Sequence, residues 1–263
     1  MLSSNKKLSD FLNNYFSTAN IIKGDKLLLH SNIIKLIINM KKEKFNFEIS
    51  DIIDFLTSYL GEKGTLIIPT FNFDFCKGKT YSSISTKSQM GVLSETARKM
   101  AKMNKTWHPV YSFVLFGNIP TEELKRKNYS AFGKESIFYW LDKNDGKIAV
   151  IDLPDQKSMT YYHHVEEMEN ANWRFMKTFS GKYVNFKKEI NDVDVKIFVR
   201  NLELGIITKV DGMEKVLWSK GHYKGHFESS YNGCRSIQVK LLKKEVKDII
   251  RGNKAKGLLY SIK

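Results

Sequence analysis

The chain has 263 residues, 42% hydrophobic and 27% charged, which suits one large α/β domain with a real core and excludes an intrinsically disordered chain. No stretch has the apolar length of a membrane span, residues 1–10 carry no signal-type apolar run, and Cys76 and Cys234 have no disulfide or metal framework around them; a reducing cytoplasm is the expected compartment. Lys and Arg outnumber Asp and Glu by 43 to 28, and the net charge of +15 favours anionic partners: nucleic acid, phosphorylated small molecules or an acidic membrane surface.

In chain order, residues 8–17 place Leu8, Phe11, Leu12, Tyr15 and Phe16 on one side of a short amphipathic helix. Gly24 and Asp25 make a turn into an apolar strand at 26–30, and Ser31 and Asn32 are placed to cap a helix at 33–40. Residues 41–44 read as a charged loop. Ile49, Ile52, Ile53, Leu56 and Leu60 repeat at helical spacing up to Gly61, a helix stop. A second strand spans 65–71, with Pro69 near its end because proline cannot donate to a ladder. Residues 73–89 form a polar, aromatic loop long enough to be functional. A helix at 91–103, a strand at 112–117, a helix beginning at 137–141 and a strand at 147–153 complete an alternation that argues for an α/β fold, a mostly parallel central sheet flanked by helices. Beyond about residue 175 the pattern changes. Val193, Val195, Ile197 and Val199 alternate with polar residues after a turn at Asn191 and Asp192, and pair with 182–188 as a hairpin. Ile237, Val239 and Leu241 alternate again before a final helix at 243–251. The expected organisation is a single domain over 1–263, with an α/β core at 1–175 and a smaller antiparallel, helix-containing C-terminal subdomain at 176–263.

Chemistry-bearing side chains concentrate in residues 158–170, S-M-T-Y-Y-H-H-V-E-E-M-E-N, which hold two of the six histidines. His163 and Glu166 stand three apart, as do His164 and Glu167, so on a helix each pair shares a face. An imidazole held by a carboxylate is a general base of fixed tautomer and raised basicity. The same residues also suit a solvated helix start, where carboxylates are favoured in the first turn. Adjacent ligands on one turn cannot all face one ion, and His222 and His226 sit between glycines with no third ligand nearby, so no metal is expected. There is neither a G-x-G-x-x-G nor a Walker A pattern, which argues against a Rossmann or P-loop site.

Seven segments stand in a recognisable order: G-D-K-L-L-L-H-S at 24–31, G-T-L-I-I-P-T-F at 64–71, Q-M-G-V-L-S-E at 89–95, H-P-V-Y-S-F at 108–113, F-G-K-E-S at 132–136, D-G-K-I-A-V at 145–150 and H-H-V-E-E at 163–167. This order resembles the aminoglycoside 3-N-acetyltransferase family of CoA-dependent N-acyltransferases, over about residues 20–180 and more weakly through W-R-F-M-K at 173–177. The resemblance implies acyl-CoA as co-substrate and His163, oriented by Glu166, as general base. It implies a CoA pyrophosphate near His30, Ser31 and Asn32 with Lys35 as charge partner, an acyl and pantetheine pocket at His108 and Ser112, and a CoA-side loop at Phe132, Gly133 and Ser136. His164 takes a position the family fills with an apolar residue, and replaces His163 if the register shifts by one. Tyr111 stands where the family carries a second histidine, which points to a different acceptor or acyl group. Taken alone, the same residues also read as an N-cap at Ser31 and Asn32, a packed His108 and a plain turn at Phe132 and Gly133.

Acyl transfer to an amine needs a base for the proton lost as nitrogen attacks the thioester, and donors for the oxyanion that forms. No serine or cysteine need be acylated. A chain at +15 repels a polycationic aminoglycoside at long range and attracts a phosphorylated acceptor. Some relatives in the family acylate nucleotide-linked sugars, so the expected acceptor is a nucleotide-linked amino sugar, such as a dTDP-amino-dideoxy sugar used in surface polysaccharide; an aminoglycoside is the alternative. The aromatic loop at 71–81, with Phe73, Asp74 and Phe75, is a candidate wall for this acceptor, beside Tyr111 and His164. A nucleic-acid-binding module is the rival from another class, but the basic residues are spread along the chain rather than clustered.

Overall fold

The computed structural model describes residues 2–226 and 233–263. The N-terminal half contains α1 (Leu2–Ser17), β1 (Lys26–Ser31), α2 (Ile34–Lys42), α3 (Ile49–Leu60), β2 (Thr65–Pro69), β3 (Tyr81–Ser82), α4 (Val92–Met100), β4 (Phe113–Gly117) and α5 (Thr121–Lys125). The middle of the chain adds α6 (Ile137–Lys143), β5 (Lys147–Ile151), α7 (Asp155–Ser158), α8 (Tyr161–Met168), β6 (Arg174–Val184) and β7 (Ile190–Arg200). The remainder is β8 (Ile206–Thr208), α9 (Asp211–Ser219), β9 (Lys224–Gly225), β10 (Cys234–Gln238), α10 (Val239–Arg251) and β11 (Tyr260–Ile262).

Among the described residues, a six-stranded sheet runs in the order β4-β2-β1-β5-β10-β9. Its centre is parallel, with β1 paired to β2 and to β5. Its flanks are antiparallel: β4 lies against β2, β10 against β5 and β9 against β10. The strand expected at 112–117 thus runs opposite to the parallel centre. It doubles back along β2, and Thr70 and Asn72 continue that ladder by donating to the carbonyls of Ser112 and Val110. The alternation at 237–241 is no single strand either: Gln238 ends β10 and Val239 starts α10.

Strand side chains alternate between two cores. Leu27, Leu29, Leu66, Ile68, Ala149 and Ile151 face one, covered by α1 to α4. Leu28, Ile67, Ile148, Val150 and Ile237 face the other, beneath α6, α8, α9, α10 and the β6–β7 ribbon. Each such buried Leu, Ile or Val side chain contributes roughly 2 kcal/mol. The period read from α3 holds, with Ile52, Ile53, Leu56 and Leu60 buried and Gly61 stopping the helix at φ 69.

The ribbon is longer than its alternation suggested, and its turn lies elsewhere. Asn191 and Asp192 are inside β7, paired with Tyr183 and Lys182. The chain turns at 185–189, where Asn185 Oδ1 accepts from the Lys187 and Glu189 amides at 2.9 and 3.0 Å. Asparagine readily folds back on the backbone this way, and Lys188 takes the left-handed φ of 66 that closes the loop. Residues after 176 do not form one separate unit, because β9 and β10 return to the main sheet. His222 Nε2 lies 3.1 Å from Glu245 on α10.

Candidate active site

The segment that carries the histidine pair is held at both ends. Before it, Asp155 at the start of α7 is fully buried and accepts from Tyr162 Oη at 2.6 Å, Tyr223 Oη at 2.7 Å and Arg235 Nη2 at 2.9 Å. After it, the chain enters β6 through Trp173 and Arg174. On α8 itself, i and i+3 share a face, and His163 Nδ1 lies 2.7 Å from Glu166 Oε2. A carboxylate only accepts, so Nδ1 carries the proton and Nε2 keeps its lone pair. Trp173 Nε1 donates to Glu166 Oε1 at 2.9 Å, and Arg174 Nη1 donates to Oε2 at 3.2 Å while lying 3.1 Å from His163 Nδ1. Both oxygens of the carboxylate are therefore fastened, and the imidazole plane with them.

The electrostatics differ from the expectation of raised basicity. Burial pushes the His163 imidazole down, the Arg174 charge pushes it further down, and the bond to Glu166 offsets this only in part, leaving it below its ordinary value. Burial raises the Glu166 carboxyl, but Arg174 and His163 outweigh burial and hold it below the usual range. The resting pair is a carboxylate and a neutral imidazole. That is the state a general base needs.

Two cavities meet at His163. The larger, about 650 Å³, is bounded by Tyr111, Phe132, His163, Arg174 and the β6–β7 ribbon. The smaller, about 290 Å³, runs from His163 past Thr160 to Phe73 and Met90. Tyr111, His163 and Thr208 line both. The Phe132 ring stands 4.7 Å from Tyr111 and 5.4 Å from His163, an apolar wall that excludes water from one side of the imidazole. Another cavity, about 750 Å³, lies under Trp107, Tyr129 and Tyr183 and has no histidine in its wall.

Of the residues singled out from the sequence, His163, Glu166, Tyr111 and Phe132 come together here, and Phe73 joins them from the smaller cavity, 5.7 Å from Tyr111. Others sit elsewhere. His164 faces the core: its Nδ1 donates to the Phe132 carbonyl at 2.5 Å, its ring lies among Phe138, Tyr139 and Tyr161, and burial pushes it down to about 4. Successive helix residues point about 100° apart, so only one histidine of the pair can face the cavity, and that one is His163. His108 is equally buried, and its Nδ1 accepts from the Val110 and Tyr111 amides at 3.1 and 3.0 Å, a loop-shaping role. Ser112 is buried against Thr70, with their hydroxyls 3.0 Å apart. Asp74 lines neither cavity, since it pairs with Lys79 at 2.8 Å and Lys77 at 3.6 Å. Gly133 lies against Glu167 and Ser130, where a Cβ would meet Glu167 Oε1 at 2.9 Å. His30 is buried in β1. Ser31 ends that strand, so the turn into α2 falls to Asn32, whose Oδ1 accepts from the Ile34 amide at 3.2 Å. Asn32 and Lys35 are exposed at this corner, which lies outside both cavities. Gly91 before α4 sits beside it, its φ of 99 letting the chain pass the Ser31 carbonyl.

Sequence reasoning assigned no role to Arg174, Trp173, Lys177, Arg200 or Glu203, although all but Trp173 line the larger cavity. Trp173 and Arg174 lie outside the helix that carries Glu166, so helical spacing could not link them.

The family model for aminoglycoside 3-N-acetyltransferase matches residues 29–203, two thirds of the chain and the part that contains His163, Glu166, Trp173 and Arg174. No curated protein matches. Solved structures share the fold at low identity. The YokD protein from Bacillus subtilis is 16% identical with a TM-score of 0.72, over 92% of this chain and 98% of that one. Aminoglycoside acetyltransferase AAC(3)-Xa is 14% identical with a TM-score of 0.74, over 94% and 92%. AAC-IIIb, solved as a binary complex with CoASH, is 13% identical with a TM-score of 0.74, over 93% and 96%. With a family match that covers the carboxylate-held histidine together with β2, β4 and β5 of the parallel-centred sheet, this chain belongs to the aminoglycoside 3-N-acetyltransferase family of acyl-CoA-dependent N-acyltransferases.

Proposed function

We propose that this chain acylates the primary amine of an amino sugar, with acyl-CoA as donor and His163 Nε2 as the base. The observation that carries the reading is a carboxylate-held imidazole, its Nδ1 fastened and its Nε2 left to accept, at the junction of two cavities. One cavity can bring the thioester and the other the amine to opposite sides of the same ring. The amine nitrogen attacks the thioester carbonyl, Nε2 takes the proton released from nitrogen, and the resulting imidazolium returns it to the departing CoA thiolate. No covalent acyl-enzyme is required. The smaller cavity reaches Met90, one residue before Gly91, and so leads toward the corner of Ser31, Asn32 and Lys35. The N-terminal ends of α2 and α4, whose helix dipoles favour an anion, suit the CoA pyrophosphate there, with Lys35 as a counter-charge.

For the acceptor, the family match and neighbours solved with apramycin and with sisomicin support an aminoglycoside. One observation favours a second reading, a nucleotide-linked amino sugar. Arg174, Lys177 and Arg200 line the larger cavity against one carboxylate, Glu203, a lining that suits a phosphate better than a polycation. Thiol release from acetyl-CoA, measured against an aminoglycoside panel and a panel of dTDP- and UDP-linked amino sugars, separates the two. Turnover confined to one panel assigns the acceptor. Silence on both panels and with longer acyl-CoA donors sinks the amino-sugar reading.

A further inference from the structure

We infer that Arg174 is a positioning residue that keeps His163 in its neutral, proton-accepting form by sharing the Glu166 carboxylate with it. This rests on the reading of His163 as the base. A histidine bonded to an ionised, buried carboxylate tends to hold a second proton, because the imidazolium is stabilised by the negative charge. A base already protonated at Nε2 accepts nothing. The family of contacts around Glu166 answers this problem. His163 Nδ1 and Arg174 Nη1 both donate to Oε2, at 2.7 and 3.2 Å, and lie 3.1 Å from each other. Protonating Nε2 would therefore set an imidazolium directly against a guanidinium that cannot lose its own charge. The carboxylate cannot swing away from this arrangement, because Trp173 Nε1 holds its other oxygen at 2.9 Å.

Arg174 is aimed by a different element from the dyad. It opens β6 and pairs across the ribbon with Arg200, whose own positive charge bears on it. The side chains of Arg174 and Glu166 are only 6% and 3% exposed, so water screens their charges little. The groups facing His163 are Glu166 on its own helix, Arg174 on β6, and Tyr111 and Phe132 from the loops. Lys177, Arg200 and Glu203 stand along the larger cavity, and Asp155 and Lys157 along the smaller. Asp155 is already bonded to Tyr162, Tyr223 and Arg235. Burial and the Arg174 charge together outweigh Glu166 and hold His163 below its ordinary range, which agrees with the geometry.

The test is the pH profile of kcat/KM for acetyl transfer, with wild type beside R174Q, R174K, E166Q and H163A, together with an NMR titration of the His163 Cε1 proton that needs no activity. Neutral His163 is the active form, so the rate rises with pH through the imidazole pKa. Removing the cation in R174Q should move this limb, and the NMR midpoint, to higher pH. R174K should restore them toward wild type. E166Q should move them the opposite way, to lower pH, because the group that raises the imidazole is gone. If R174Q does not fold, R174M carries the same expectation. A limb and a midpoint unmoved in the neutral variants, with only the plateau rate lowered, would mean Arg174 is merely structural and overturn the inference. An H163A variant as active as wild type would instead overturn the base assignment beneath it.

Discussion

At the residue scale, the two histidines of α8 differ by one position and by everything that decides chemistry. His163 has a carboxylate on one nitrogen and a cavity beside the other; His164 is fully buried with its Nδ1 committed to a carbonyl. His163→Ala should therefore lower turnover by about 10²–10⁴-fold, the usual worth of a general base, with CoA affinity little changed. His164→Ala should act through stability, since it opens space among Phe138, Tyr139 and Tyr161. Steady-state kinetics and a thermal melt on both variants decide this. Normal turnover in H163A beside a dead but folded H164A would exchange the two roles. The spacing of His163 and Glu166 was legible because a helix brings i and i+3 together whatever surrounds it. The choice between His163 and His164 was not, because it depends on which face of α8 the core covers. Arg174 was illegible for a related reason: it opens β6, beyond the end of α8, so no helical period links it to Glu166.

At the element scale, helices with a clean apolar period were readable to within a few residues, as α3 shows, whereas strand direction was not. Nothing in the composition of residues 112–117 distinguishes a strand that runs parallel to β2 from one that doubles back along it. The hairpin turn was misplaced because Asn191 and Asp192 are turn-prone residues that the longer ribbon accommodates, while Asn185 closes the loop through its own side chain. The element that matters most to the site is α7, whose fully buried Asp155 ties together α7, Tyr162 of α8, Tyr223 and Arg235 of β10. A carboxylate accepting from three buried donors is costly to remove, since its partners then stay desolvated. Asp155→Asn should lose roughly 3 kcal/mol of stability, on the scale of breaking a buried ion pair. It should also slow turnover, because α8 enters from α7. Guanidinium unfolding measures the first effect; a change well below about 1 kcal/mol would show that the network is not what anchors α8.

At the scale of the whole molecule, two properties bear on behaviour in solution. His30 and His108 are buried without a charge partner, and burial pushes both imidazoles from 6.5 down to about 3. Between those values the unfolded chain binds protons that the folded one refuses, so stability is present above 6.5 and drains away as pH falls toward 3. The urea midpoint should therefore drop between pH 7.5 and pH 5; a midpoint that holds steady would mean that these histidines take up protons without unfolding. The second property is the net charge of +15, of which the lining of the larger cavity is a local sample. Long-range attraction speeds the approach of an oppositely charged ligand and is screened by salt, with a Debye length near 8 Å at physiological ionic strength. At saturating acetyl-CoA, kcat/KM for a nucleotide-linked amino sugar should fall as salt rises from low to moderate concentration. For an aminoglycoside the same titration should leave it level or raise it, because salt screens a repulsion. The sign of that slope reports whether the acceptor meets the basic surface as a counter-ion or in spite of it. An aminoglycoside whose kcat/KM falls steeply with salt would place carboxylates at the mouth of the cavity in control, with Glu203 the first to neutralise.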